Sequence, residues 1–292
     1  MKKKIVCTLL AAALMALTAC GGGAQPAQTQ APAEEAAEAE AEAPAEEEAA
    51  AEETAEEAAP AEGGITGEGV ATEGVLVMAT NAEFPPYEFH EGSEIVGIDV
   101  EIARAIAEKM GCTLEIEDIA FDSIIAEVSS GKADMGLAGM TVTDERKQNV
   151  DFSDTYAHSS QVIIVPEGSE IASVDALAGL TVGVQTGTTG DLFASDDDAI
   201  GGVERYAKGM EAVMALQQTK VDAVIIDRAT AQAYLEQVDG LTIVDESYTE
   251  EDYAAAIKKG NTALLDNVNK ALAELKADGT LDAIVAKYIT AE

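Results

Sequence analysis

The chain has 292 residues and a formal net charge of −38, with 55 acidic side chains against 17 basic ones. A polyanion of this kind is a poor partner for nucleic acid or anionic lipid headgroups, and its excess charge reads as a solvated surface. With three cysteines and two histidines there is no Cys/His metal spacing, and no cofactor is expected.

Met1-Lys2-Lys3-Lys4 is a basic start, and Ile5 to Leu17 is an apolar run too short and wrongly flanked to span a membrane. Leu17-Thr18-Ala19-Cys20 resembles a bacterial lipoprotein signal. The resemblance implies loss of residues 1–19 and lipid attachment to Cys20; the alternative is an ordinary secretory signal with a chance cysteine. Two or more acyl chains hold a protein stably where one does so marginally, and the signal implies the stable case. The expected location is extracytoplasmic, lipid-anchored, at the cell surface or in the periplasm. Cys7 leaves with the leader and Cys20 is modified, so Cys112 has no disulfide partner.

Gly21 to Gly64 is built of Ala, Glu, Pro and Gln, with thirteen glutamates and no aromatic residue. It cannot bury a core, so residues 20–66 are expected to form an acidic tether behind the lipidated cysteine. Pro26, Pro32, Pro44 and Pro60 interrupt any helix. As a coil it would span roughly 35–40 Å, and a helical stalk would change the length but not the role. Without the leader lysines the charge is −41, and without the tether glutamates −28.

From about Gly67 the composition is globular, and strands alternate with helices. Val75 to Ala79 reads as a buried strand, followed by a hairpin-like insertion around Glu91-Gly92. A helix capped by Asp99 follows, carrying Ile102, Ala103, Ile106 and Met110 and closed by Gly111. Leu114 to Ile119 is a strand; Ile124, Ile125 and Val128 form a helical face stopped at Gly131. Met135 to Ala138 is a short strand, and Asp144 to Val150 is predicted as a helix capped by Thr143. Further strands are expected at Gln161–Val165, Thr181–Val184, Val203–Tyr206, Val221–Ile226 and Leu241–Val244. Helices are expected at Val174–Leu177, Met210–Gln217, Ala229–Leu235, Thr262–Ala277 and Leu281–Tyr288.

This pattern predicts an α/β fold of two lobes, each a mostly parallel sheet flanked by helices. The first lobe takes residues 67–159 and 256–292, and the second takes 160–255. Two hinge crossings, near His158–Val162 and Asp252–Ala256, join them, and the chain is expected to be a monomer.

In open α/β sheets ligands bind beyond the carboxyl ends of the strands. Those ends deliver Asn81 and Phe84, then Phe121, then Gly139, Thr141 and Arg146. From the second lobe come Gln185, the Gly187-Thr188-Thr189-Gly190 loop and Asp227. Arg146 is the odd residue, because a cation in a first helical turn opposes the dipole and a capping box would want Glu or Gln. A guanidinium beside free N–H groups suits a carboxylate; the alternative is a surface arginine paired with Asp144 or Asp151. Taken singly, Phe84 and Phe121 read first as core plugs rather than ligand walls, the glycine loop can be a bare turn, and Asp227 can be an N-cap. Together they supply a cation for a carboxylate, a carboxylate for an ammonium, and two aromatic faces for a side chain, which fits a zwitterion.

Residues from about Gly74 to Tyr288 resemble the family 3 extracellular solute-binding proteins, which serve ABC importers of polar amino acids. The segments that carry the resemblance are Phe84–Phe89 (FPPYEF), Gly97–Glu101 (GIDVE), Phe121–Ser123, Gly131–Asp134 (GKAD) and Gly139–Arg146 (GMTVTDER). Val150–Ser153 (VDFS), Gly187–Gly190 (GTTG) and Asp227 complete it. The family implies a periplasmic-binding-protein-like fold whose lobes close on one free amino acid and deliver it to a permease, without catalysis. Arg146 and backbone N–H near Thr189 would take the α-carboxylate. Asp227, the Gly139 carbonyl and the Thr141 hydroxyl would take the α-ammonium, with Phe84 and Phe121 against the side chain. Asn81 and Gln185 stand where relatives place side-chain readers, often charged. Both are neutral here, which favours a polar neutral L-amino acid, while Glu83 and Asp122 keep Lys or Arg open. The rival is an enzyme on the same scaffold, such as a cyclic hydroxy-acid dehydratase, which would need a general acid or base in the cleft. His90 sits on the hairpin and His158 at a crossing, leaving Asp227 or Glu83 for that role.

Overall fold

A computed structural model of the protein describes residues 64–289. The leader, Cys20 and the tether up to residue 63 lie outside the described residues. The chain begins with strand β1 (Val75–Thr80) and a small antiparallel unit of β2 (Glu83–Phe84), β3 (Glu88–Glu91) and β4 (Glu94–Val96). Helix α1 (Ile98–Met110), β5 (Thr113–Asp118), α2 (Ile124–Ser130), β6 (Met135–Gly136) and β7 (Val150–Phe152) follow. The chain then runs through β8 (Ala157–Pro166), β9 (Thr181–Gln185), α3 (Thr189–Asp196), β10 (Gly202–Tyr206) and α4 (Gly209–Gln217). It continues with β11 (Ala223–Asp227), α5 (Arg228–Leu235) and β12 (Leu241–Tyr253). It closes with β13 (Ala256–Lys258), α6 (Thr262–Ala277) and α7 (Thr280–Tyr288).

Two five-stranded sheets result, in the orders β5-β1-β6-β13-β7 and β10-β9-β11-β8-β12. In the first, only β13 runs against the other strands; in the second, only β8 does. Each sheet is therefore mixed, with four strands in one direction but two of its four pairings antiparallel, and the reversed strand is one that lies next to a passage between the lobes. Burial follows position: central β11 is buried at all five residues, while β5 on an edge alternates. Helices α6 and α7 pack on α1 in the first lobe. No helix among the described residues is long and apolar enough to cross a membrane.

The FPPYEF and GIDVE segments interlock. Ile98 N–H donates to Pro86 O at 3.1 Å, and Asp99 N–H donates to Tyr87 O at 2.9 Å. Gly97 precedes α1 at φ 131°, and a Cβ there would lie 2.2 Å from Tyr87 O, so only glycine fits. Asp99 is not the helix cap expected of it. It lies inside the first turn, fully buried, and its Oδ2 accepts Gly139 N–H at 2.8 Å and Tyr156 O–H at 2.7 Å.

Two further expectations are corrected. The helix predicted after Thr143 is a single 3-10 turn over Arg146–Gln148. Thr143 does cap it, its Oγ1 accepting Arg146 N–H at 3.1 Å. With no apolar residue from Asp144 to Asn149 there is nothing to dock a longer helix. The last strand of the second lobe does not stop at Val244 but runs 13 residues to Tyr253. It pairs with β8 through register shifts between Ile243, Ser247 and Thr249. The polar run Asp245–Asp252 hid it, because an edge strand needs no apolar alternation on its wet side.

Strands β8 and β12 run antiparallel between the two lobes, with Ala157 opposite Tyr253, Ser159 opposite Glu251 and Gln161 opposite Thr249. This ribbon is the floor of the cleft.

Candidate functional site

The two lobes meet over a small, narrow cavity at the carboxyl ends of the parallel strands, lined by Asn81, Phe121, Arg146 and Glu251 among others. Its centre is Arg146, which is only 7% exposed. Nη1 donates to Thr141 O at 2.7 Å, and Nη2 donates across the cleft to Gly187 O at 3.1 Å. The guanidinium carbon lies 5.5 Å from the centre of the Phe121 ring. Neither Asp144 nor Asp151 pairs with it; Asp144 takes Lys147, and Asp151 accepts Gly260 N–H at 2.7 Å. Burial lowers the Arg146 pKa to about 10, which still leaves it charged at neutral pH. A buried guanidinium resting on carbonyls, with no carboxylate among the described residues within ion-pair distance, has the charge and the donors to take an anion.

Gly139 supplies the opposite polarity. Its N–H is taken by Asp99, and its φ of 51° turns the backbone beneath the rings of Phe84 and Tyr253. A Cβ at this position would stand 3.2 Å from Phe84.

Across the cleft, Gln185 Nε2 donates to Asn81 Oδ1 at 2.9 Å, while Asn81 Nδ2 donates to Ile119 O at 2.8 Å. Gln185 Oε1 and Gln161 Oε1 are buried without hydrogen-bond partners. Thr188 caps α3 by accepting Asp191 N–H, so Thr189 opens that helix where N–H groups have no intrahelical carbonyl.

Of the residues expected from the sequence, Asn81, Phe84, Phe121, Gly139, Thr141, Arg146, Gln185 and Thr189 all line this cavity. Asp227 does not. It is fully buried one layer behind the wall, its Oδ1 accepting Thr230 N–H at 2.9 Å and its Oδ2 taking the Ser159 and Tyr253 hydroxyls. Burial raises its pKa. Glu83 and Asp122, which kept a cationic ligand open, do not line the cavity either; Glu83 pairs with Lys208. His90 sits against Asp118 at 2.9 Å and His158 against Asp252, both outside it.

The cavity's acid is instead Glu251, which the sequence reading missed together with Gln161 and Tyr253. Glu251 Oε1 accepts the Thr141 hydroxyl at 3.1 Å and the Thr189 hydroxyl, and Oε2 accepts Gln161 Nε2 at 2.9 Å. The Tyr253 hydroxyl lies 3.0 Å from Glu251 Oε2 and 2.8 Å from Asp227 Oδ2, one proton before two carboxylates. Burial raises the Glu251 pKa. The missed signal was the period of two: Glu251 and Tyr253 share one face of β12.

A wider groove lies elsewhere, between β3, α5 and the end of α7, lined by Pro85, Phe89, Gln232 and Tyr288 among others. Nearby polar groups are spent on each other, as Tyr234 O–H on Glu83 O at 2.6 Å and Tyr288 O–H on Glu101 at 2.6 Å.

Two α/β lobes meeting over a cavity with one cation and one anion define a receptor that shuts on a small polar molecule. The profile of bacterial extracellular solute-binding proteins, family 3, matches residues 76–291, and the chain belongs to that family. Among curated relatives, the arginine-binding extracellular protein ArtP of Bacillus subtilis (strain 168) is 35% identical over 221 residues, covering 74% of this chain and 87% of that protein. The L-cystine-binding protein TcyJ of Escherichia coli (strain K12) is 30% identical, covering 76% and 85%. Among solved structures, an ancestral arginine-binding protein bound to arginine superposes with a TM-score of 0.72 at 42% identity, covering 74% of this chain and 99% of that one. An ancestral arginine-binding protein bound to glutamine gives a TM-score of 0.72 at 42% identity, covering 75% of this chain and 100% of that one.

Proposed function

We propose that this chain is the extracellular substrate-binding component of an ABC importer for a polar L-amino acid, closing its two lobes on one molecule. The observation that carries the reading is Arg146, buried, charged and without a carboxylate in contact. In this reading the ligand's α-carboxylate takes the guanidinium away from Thr141 O and Gly187 O and meets the first turn of α3. Its α-ammonium lies by the Gly139 carbonyl and the Thr141 hydroxyl, with the negative charge of Asp227 one layer back. Phe84 and Phe121 flank the side chain. Asn81 and Gln185 face its end, and the unpartnered Gln185 amide oxygen calls for an N–H donor there. That suits an amide or a guanidinium, so glutamine and arginine are the first candidates, and the relatives named for arginine agree with the second.

The lobes divide at the β8–β12 ribbon, residues 67–159 and 256–292 against 160–255, and the domain acts as a monomer. Cys20 carries the lipid, residues 20–66 hold the domain off the membrane, and a membrane permease receives the amino acid.

Affinity near micromolar corresponds to about −8 kcal/mol. Ligand at a hundred times its Kd adds about 2.7 kcal/mol of stability, which raises Tm by roughly 5–10 °C for a domain of this size. A thermal-shift panel of the twenty L-amino acids should show such a rise for one or a few polar ones. Twenty flat traces would refute the proposal.

A further inference from the structure

Glu251 is the only carboxylate among the cavity-lining residues, and it sits on the ribbon rather than on either wall. Its Oε1 is met by the hydroxyl of Thr141, which follows β6, and by that of Thr189, which opens α3. One oxygen thus gathers a donor from each lobe. Gln161, diagonally across the ribbon, steadies Oε2 from β8.

Charge balance gives this placement its meaning. The cavity lining holds one cation, Arg146, and one anion, Glu251. A zwitterion brings one of each, so every buried charge finds an opposite partner only if both are used. Asp227 is tied to the backbone N–H of Thr230 and lies outside the cavity lining, whereas the two donors on Glu251 Oε1 are hydroxyls within it. Hydroxyls can rotate away and act as acceptors themselves. An ammonium with three N–H donors can then face Glu251 Oε1, Thr141 Oγ1 and the Gly139 carbonyl at once.

We propose that Glu251 contacts the ligand's α-ammonium directly and is the residue that makes the cleft demand an α-amine. This rests on the proposed function, and it adds to that reading a contact carried by the hinge itself. When the ammonium replaces the two hydroxyls, each lobe is released from Glu251 only as the ligand takes over. The ribbon carboxylate therefore holds the closed form with or without cargo, and cargo lacking the amine leaves the Thr141 and Thr189 hydroxyls in place.

The test compares wild type, Glu251→Gln and Glu251→Asp by titration calorimetry on the full chain. The probes are L-arginine with 5-guanidinopentanoate, and L-glutamine with 4-carbamoylbutanoate, each pair differing only in the α-amine. A hydrogen bond to a charged group is worth roughly 10- to 100-fold in affinity. Glu251→Gln should lose that factor toward the amino acid and change less than about threefold toward its des-amino partner. Glu251→Asp, which keeps the charge, should retain the preference for the amine. Equal losses for both members of a pair in Glu251→Gln, or no loss for either, would overturn the inference while leaving the transport role intact. If wild type responds to none of the twenty amino acids, the transport role fails and takes the inference with it.

Discussion

Arg146 shows how a single residue can be read from its own discomfort. A cation at a helix start gains nothing locally, and in the structure it is buried on two carbonyls and a ring rather than paired at the surface. Arg146→Ala should cost roughly 2–5 kcal/mol of amino-acid binding, because a ligand carboxylate would be left unpaired in a dry cleft. Calorimetry on the purified variant checks this, and unchanged affinity would remove Arg146 from the site. Glu251 was illegible for the opposite reason. It stands in Thr249-Glu250-Glu251-Asp252, and a run of acids ordinarily means a solvated face. Only the strand assignment separates it from its neighbours, turning Glu251 inward with 5% exposure while Glu250 and Asp252 stay out.

At the scale of elements, long periodic helices were readable and marginal ones were not. The bounds of α6 came directly from its spacing, since three turns of apolar residues face α1. The turn at Arg146 and the far half of β12 are held by tertiary contacts that leave no periodic trace. Helix α5 joins these two cases. Its N-cap, Asp227, accepts Thr230 N–H as a sequence reader would expect, and also binds the ribbon through Ser159 and Tyr253. Asp227→Asn puts an amide N–H₂ where donors already converge. It should therefore destabilise the domain by about 1–3 kcal/mol, seen as a fall of several degrees in Tm by calorimetry. A variant as stable as wild type would show that these hydrogen bonds are dispensable.

At the scale of the whole molecule, the buried acids make stability depend on pH in an unusual direction. Glu88 and Asp99 are both fully buried in the first lobe. Burial and the neighbouring Asp99 carboxylate hold Glu88 well above the ordinary range, and burial carries Asp99 from 3.8 to about 7. The folded chain therefore keeps protons that the unfolded chain releases between about pH 4 and 7. Stability from this pair is present at the acid end and lost as pH rises through that window, at up to about 1.4 kcal/mol per pH unit for each group. Asp99→Asn can still accept from Gly139 and Tyr156. Its Tm should vary less from pH 4.5 to 8 than that of wild type; parallel curves would mean that Asp99 ionises normally.

The ribbon has one more consequence. Because Ala157 faces Tyr253, the polypeptide enters and leaves the second lobe at the same doorway. That lobe is topologically an excursion from the first, and its two ends are already tied together by backbone hydrogen bonds. Any torque that swings one wall must be borne by both strands at once, so the walls can rock but cannot shear past one another. The carboxylate that both walls touch sits on the axle of that rocking.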